Sequence, residues 1–275
     1  MSVIREEIAA QYTTISRLDQ GIGLIMKELQ EFGLMNDTLI MFTSDNGIPF
    51  PNGRTNFYET GIKEPLLMSN PDDRLSHGTI ENKLVSLLDV TPTILDWFNI
   101  TYPDYRIFHN KGKVTLSGMS LLSDSDKHEI VFGSHQHHEI TMYYPMRFAR
   151  TKRFKLIHNL NYFAPFPIDQ DFYISGTFQD ILSRMKRHLP LYWNKTLHQY
   201  YKRPEFELFD LKSDPYELYN VSKKKKYSAI FKSLKEKLFN WRNSTDDPWI
   251  CSPHSVLEDK GPFKEDPKCL SLYNN

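Results

Sequence analysis

Apolar residues recur at spacings of three and four from Ile4 through Ile8, Tyr12, Ile15, Leu18, Ile22, Ile25 and Leu29 to Phe32. That period predicts one long amphipathic helix over residues 4–33. Gly21 and Gly23 interrupt its middle and predict a close approach of another segment, and Gly33 is placed as its C-terminal stop. The pattern then shortens. Thr38–Thr43 is a continuous apolar run between Asn36-Asp37 and Asp45-Asn46-Gly47, which predicts a strand buried on both faces in a parallel sheet. Residues 45–65 read as a polar loop rich in Gly and Pro, and Leu66–Ser69 as a short strand. Leu84, Leu87, Leu88, Ile94, Leu95 and Phe98 give a second helix, with Thr91-Pro92 as a break or a new first turn. Residues 101–128 show little periodicity.

Beyond that point the composition shifts to short strand-like runs separated by Pro-rich and aromatic segments. Ile130–Ser134, Met146–Arg150, Phe154–Asn159 and Glu207–Leu211 predict a small antiparallel sheet. Ile230, Leu234, Leu238 and Trp241 predict a final amphipathic helix. The expected organisation is an α/β domain over residues 1–125 and a sheet-and-helix domain over 126–275, within the one or two domains that 275 residues allow.

Composition narrows the function classes. Lys+Arg and Asp+Glu are 34 each, so the chain has no overall basic field for nucleic acid. The Lys223–Lys226 run reads as a solvated face before the last helix. No apolar run reaches the ~18 residues of a membrane span. The two cysteines, Cys251 and Cys269, read either as free thiols or as a disulfide closing an 18-residue separation. Asn-x-Ser/Thr sequons occur at Asn36, Asn99, Asn194, Asn220 and Asn243, where about two are expected by chance. Sequons and cysteines point to the secretory pathway, whereas Met1-Ser2-Val3-Ile4-Arg5-Glu6-Glu7 is not a leader. The expectation is that these residues are a portion of a longer protein.

The chemistry concentrates in Thr43–Asn56. Asp45 and Asn46 follow a strand end, where α/β sheets collect ligands, and their oxygens suit Ca²⁺ or Mg²⁺. Arg54 has the planar fork that matches a tetrahedral oxyanion. On spacing alone, Asp45-Asn46-Gly47 is either a turn or part of a metal site. Two adjacent residues cannot fill a calcium shell of about six to eight oxygens. His135-Gln136-His137-His138-Glu139 reads as hydrogen-bonded loop histidines, a sugar contact or, least favoured, a zinc site. In a strand, His135 and His137 share a face and His138 points away. Asp169 and Asp171 are a second carboxylate pair, for glycosidase-type acid/base work or for a structural or sugar-contacting role.

Ser44-Asp45-Asn46-Gly47, Gly53-Arg54-Thr55-Asn56 and Gly61-Ile62-Lys63-Glu64-Pro65 together resemble the sulfatase family. So do Leu87–Phe98, Pro165–Tyr173 and Asp247-Pro248-Trp249. The resemblance runs through nearly the whole chain and matches the C-terminal portion of the family. It implies an alkaline-phosphatase-like α/β fold with a smaller C-terminal sheet domain. The implied function is hydrolysis of the N-sulfate of terminal N-sulfoglucosamine at the non-reducing end of heparan sulfate, in the lysosome. Carried onto this sequence, Asp45 and Asn46 match two Ca²⁺ ligands and Arg54 matches the sulfate-contacting residue. His137, His138 and Glu139 match a substrate-contacting stretch, and Cys251–Cys269 matches a disulfide. The resemblance also implies a possible homodimer.

The nucleophile of the family is a formylglycine made from the cysteine of Cys-x-Pro-Ser-Arg, and that motif does not occur here. The first aspartate pair of the calcium site is likewise not matched. The expectation is therefore weak calcium binding and no turnover by this chain alone. The competing readings are a truncated non-catalytic paralogue that binds sulfated glycans or a partner chain and, last, a phosphate-ester hydrolase of the same superfamily.

Overall fold

The structure is a computed structural model. It describes residues 2–73, 77–103, 115–122, 128–139 and 142–273. In chain order the elements are α1 (Ser2–Glu31), β1 (Ile40–Thr43), α2 (Glu59–Ile62), β2 (Leu66–Ser69), α3 (Val90–Trp97), β3 (Val131–His138), β4 (Met142–Arg150), β5 (Phe154–Asn159), α4 (Gln170–Ile174), α5 (Gly176–Lys186), α6 (Leu197–Tyr201), β6 (Phe206–Asp210), α7 (Ser228–Ser244), β7 (Ser255–Glu258) and β8 (Lys268–Ser271). They form two compact units, Met1–Asp45 with Glu64–Val131, and Asn46–Lys63 with Phe132–Asn275. The boundary expected near residue 125 lies outside the described residues. The loop after β1 travels with the second unit.

In the first unit, α1 ends as its sequence predicts. Gly33 takes φ +69 and Leu34 N donates to Leu29 O at 2.8 Å, so the left-handed residue closes the last turn. Gly21 and Gly23 correct the close-approach expectation, since a methyl group built on either meets nothing within 4 Å. The apolar stripe of α1 is open, with Tyr12, Ile15, Leu18, Ile25 and Phe32 all exposed.

The parallel-sheet expectation is also corrected. β1 pairs antiparallel with β2, Ile40 opposite Ser69 and Thr43 opposite Leu66, and Leu67 and Met68 are exposed. An apolar run specifies a strand but not the direction of its partner. The link between these two strands holds only the four-residue α2, not a crossover helix of the usual length. Asp89 organises α3. Buried completely, it accepts from Ser86 N at 2.8 Å, from Met119 N at 2.9 Å and from His128 Nε2 at 2.9 Å. Pro92 falls in the first turn, where a missing N–H does no harm.

In the second unit the sheet has the order β3-β4-β5-β6. Phe148 lies opposite Ile157, and Leu156 opposite Leu208. β4 and β5 are buried almost end to end because both faces are covered. On one face sits α7, with buried Leu234 and Leu238 turned inward and Trp241 stacked on Phe132 at 5.1 Å. The same side holds a charge clamp. Asp247 accepts from Arg147 Nε at 2.9 Å, Arg147 Nη2 at 2.6 Å, Arg242 Nε at 2.7 Å and Trp249 N at 3.0 Å. Burial raises the Asp247 carboxyl pKa, but these bonds outweigh it and hold the pKa below the usual range.

The segment Asn46–Lys63 covers part of the other face. Phe57 meets Phe148 edge-on at 4.8 Å, and Tyr58 OH donates to Glu207 at 2.9 Å. Glu59 takes Arg150 at 3.0 Å and the fully buried Lys155 at 3.0 Å, while Lys155 also reaches Glu217 at 2.5 Å. Beside it, Phe166, Phe172, Phe178 and Tyr200 form an aromatic cluster under Tyr144. The Cys251–Cys269 disulfide is present and staples the β7–β8 hairpin, with Cα atoms 5.3 Å apart. No described helix is long and apolar enough to cross a membrane.

Candidate functional site

The loop Gly47–Asn56 is folded onto α2 by short backbone contacts. Gly47 N donates to Gly61 O at 3.3 Å, Arg54 N to Ile48 O at 3.0 Å and Thr60 Oγ1 to Asn52 O at 2.6 Å. Gly61 is required here. A Cβ on it would stand 2.3 Å from Asn56 O and 2.4 Å from Gly53 O, well inside contact distance. Thr55 takes φ +68, a left-handed conformation that a β-branched residue rarely adopts. Asn56 holds the loop from below, accepting from Arg203 Nη2 at 2.6 Å and donating to Arg54 O at 3.0 Å. The Arg203 guanidinium carbon itself lies over the Phe166 ring, 3.4 Å from its centre. Strain at Thr55 is thus held by its neighbours, and such strain gathers at working sites.

The loop presents Arg54 to a cluster from two distant segments. Arg54 Nη1 lies 2.6 Å from Asp171 Oδ2, Nη2 lies 3.2 Å from His138 Nε2, and Nε lies 3.5 Å from Asp169 Oδ2. His138 Nε2 is also 3.1 Å from Asp169 Oδ2. Asp169 caps α4 through Phe172 N, 3.1 Å from its other oxygen, and its side chain is 3% exposed against 58% for Asp171. The cluster therefore has a buried, fixed carboxylate and an exposed one on the same arginine.

Of the expected sugar-contacting stretch, His138 joins this cluster. His137 and Glu139 lie exposed beside it, at the end of β3 and in the turn that follows. The strand places His135 on the other face, against the edge of Phe57 at 6.2 Å. Burial, followed by the charges of His138 and His137, lowers its pKa to about 4. Among the described residues, no three or more His, Cys, Asp or Glu side chains gather as a metal site.

Asp45 ends the first unit's N-terminal segment, and Asn46 opens the second unit. Glu64, in the first unit, has its carboxyl pKa raised by burial and by the nearby Asp45. Asn46 Nδ2 donates to Gly47 O at 2.9 Å. The donor types fit a hard cation. The number of donors does not make a calcium shell, so no chemical step is routed through the ion.

In the sequence, Asp169-Gln170-Asp171 and Arg54 stand far apart. Their pairing spans 115 residues or more, and no local period carries it. The legible signal was Asp169 as an N-cap before Phe172-Tyr173.

All five sequon asparagines are exposed. The amide of Asn220 is engaged, accepting from Leu208 N and Ser222 N and donating to Phe206 O, each at 3.0 Å.

Comparison with known proteins gives concordant findings. The Sulfatase family model matches residues 4–100, and the model of the N-sulphoglucosamine sulphohydrolase C-terminal region matches residues 182–244. Human N-sulphoglucosamine sulphohydrolase is 49% identical over 273 residues, covering 98% of this chain and 53% of the relative. Among solved structures, BT1596, a 2-O GAG sulfatase, superposes with TM-score 0.60 at 17% identity, over 94% of this chain and 47% of that one. BT4656, solved with its substrate D-glucosamine-2-N,6-O-disulfate, gives TM-score 0.55 at 20% identity, over 85% of this chain and 40% of that one. The chain thus spans about half the length of the relatives it matches. The structural neighbours establish the sulfatase, alkaline-phosphatase-like fold, here as mixed α/β units with antiparallel sheets. With the two family models in tandem and a 49% identical relative aligned along nearly all its residues, the chain belongs to the sulfatase family.

Proposed function

We propose that this chain carries the Arg54 side of a sulfamidase site, one that releases sulfate from the N-sulfate of a terminal N-sulfoglucosamine in heparan sulfate. The observation that carries the reading is the convergence of Arg54, His138, Asp169 and Asp171 within a chain 49% identical to N-sulphoglucosamine sulphohydrolase. Arg54 supplies a cationic fork for the sulfate group. Developing charge on the transferring group is offset best by a preorganised donor in a partly dry site. Asp169 and His138 hold that fork in place. Asp45 and Asn46 are offered as two of the oxygen donors to a Ca²⁺ ion, whose charge would offset that of a sulfate group bound to it. With no Cys-x-Pro-Ser-Arg among its residues, the 275-residue chain binds but does not turn over. Lysosomal residence, glycans at the five sequons and assembly as a homodimer belong to the same proposal.

Calorimetric titration of the chain with N-sulfoglucosamine, and with glucosamine as the comparison, tests it. Binding of the sulfated sugar alone, lost in Arg54→Ala, is the expected result. Equal binding of the two sugars, or binding that survives Arg54→Ala, would remove the assignment. Turnover of N-sulfoglucosamine abolished by Asp45→Ala would overturn the claim of inertness.

A further inference from the structure

We infer that Asp171 is a displaceable latch on Arg54, a carboxylate that holds the anion-binding edge of the guanidinium until a sulfate oxygen takes its place. The inference rests on the reading of Arg54 as an anion contact and adds the residue that regulates access to it. All three nitrogens of Arg54 have partners in the structure, Nη1 with Asp171, Nη2 with His138 and Nε with Asp169. An incoming oxyanion needs two adjacent N–H groups for the paired geometry that makes arginine selective. The guanidinium has five N–H groups and these contacts take three, so a paired oxyanion competes with whichever partner is held least.

The burial of the two carboxylates decides which. Asp169 is the fixed one, almost fully buried, tied to Phe172 N at 3.1 Å and standing 3.1 Å from His138. Moving it would uncap α4 and strand a carboxylate in a dry place. Asp171 sits in the first turn of the same helix but is mostly in solvent, and among the described residues its only hydrogen bond is to Arg54. Swinging it out costs one exposed ion pair, and water takes up the freed charge. Charge balance points the same way. One guanidinium faced by two carboxylates repels an anion, and the departure of Asp171 makes the fork neutral with respect to Asp169 before the ligand arrives.

His138 completes the frame. Its Nε2 lies between a guanidinium that can only donate and a carboxylate that can only accept. The contact to Arg54 is the one with hydrogen-bond geometry, Nε2 accepting, while Asp169 Oδ2 stays close without a hydrogen bond of its own.

The test uses the full chain with inorganic sulfate as probe, at constant ionic strength set with chloride. The readout is the Nε–Hε NMR correlation of Arg54, assigned by its loss in Arg54→Lys. Asp171→Asn and Asp171→Ala are expected to tighten sulfate binding about three- to five-fold, the size of an exposed ion-pair competitor. Asp171→Glu, which keeps the latch, should stay near wild type. Asp259→Asn, the same charge change elsewhere, should do nothing. Unchanged sulfate affinity in both Asp171→Asn and Asp171→Ala would overturn the latch, as would an equal gain from Asp259→Asn. A parallel titration with N-sulfoglucosamine separates the two claims. Selective sugar binding without the Asp171 gain sinks the latch and spares the functional reading. The sulfate gain without any preference for the N-sulfated sugar does the reverse.

Discussion

Replacing Asp247 by alanine removes the shared anion of two buried guanidinium groups, which are 1% and 0% exposed. Three charged hydrogen bonds, at 2.9, 2.6 and 2.7 Å, are lost together with the bond from Trp249 N. Breaking a buried pair from one side typically costs about 3–5 kcal/mol, because the surviving charge is left unpaired. Here Arg147 keeps the carbonyls of His135 and Met146, and Arg242 keeps that of Trp249. That relief places the expected loss near the lower limit, about 3 kcal/mol.

Urea unfolding followed by tryptophan fluorescence reads the relevant unit, since Trp193, Trp241 and Trp249 all lie in it. With a slope of about 2–3 kcal/mol per molar, the midpoint should fall by about 1–1.5 M. The pH dependence has a definite sign. The folded pKa of Asp247 is depressed, so its contribution is complete above the unfolded carboxyl value of about 3.9 and disappears as pH falls through the folded value. The gap between wild type and variant should be constant from pH 7 to pH 5 and close only in stronger acid. A midpoint shift below about 0.3 M at pH 7, with unchanged slope, would refute the claim that this carboxylate neutralises the two arginines.

Three further outcomes are expected. Gly61→Ala should dislodge the Arg54 loop, seen as loss of any sulfate effect on the Arg54 NMR signal with the sheet's circular dichroism retained; an unaltered titration would contradict the steric argument. The His135 imidazole should titrate near pH 4, so its ring signals should not move between pH 8 and pH 5.5; a midpoint above 6 would contradict the burial account. Mapping without reductant should yield one linked peptide containing Cys251 and Cys269. Cys269→Ser should destabilise the β7–β8 hairpin by up to about 3 kcal/mol, read as faster amide exchange there than in β4 and β5.

The elements that could be read from the chain are those whose period is carried locally. The 3–4 spacing gives α1 and α7, because it records which side of a helix is covered, and short strand-like runs between Pro-rich and aromatic segments give the four-stranded sheet. The failures are of two kinds. The run Thr38–Thr43 predicts a parallel sheet, because a short apolar run has no period to report its partner. α4, α5 and α6 went unread amid Pro and aromatic residues, although Asp169, Ser175 and Thr196 cap them as their side chains permit. At the site, Arg54 and His138 were legible as residues with suitable chemistry. Their meeting with Asp169 and Asp171 was not, since contacts across 84 to 117 residues are set by the sheet and not by any local signal.

The strap Asn46–Lys63 has a consequence for anyone dividing this molecule. It enters the second unit by way of the first, and Glu59 is gripped there by Arg150 and Lys155. A single cut after Val131 would therefore take Glu59 away with the wrong piece. Lys155, sealed from water, would keep only Glu217, and the sheet would lose the lid that carries its arginine. A faithful minimal piece has to be sewn from two stretches of sequence, with Lys63 joined to Phe132 by a linker.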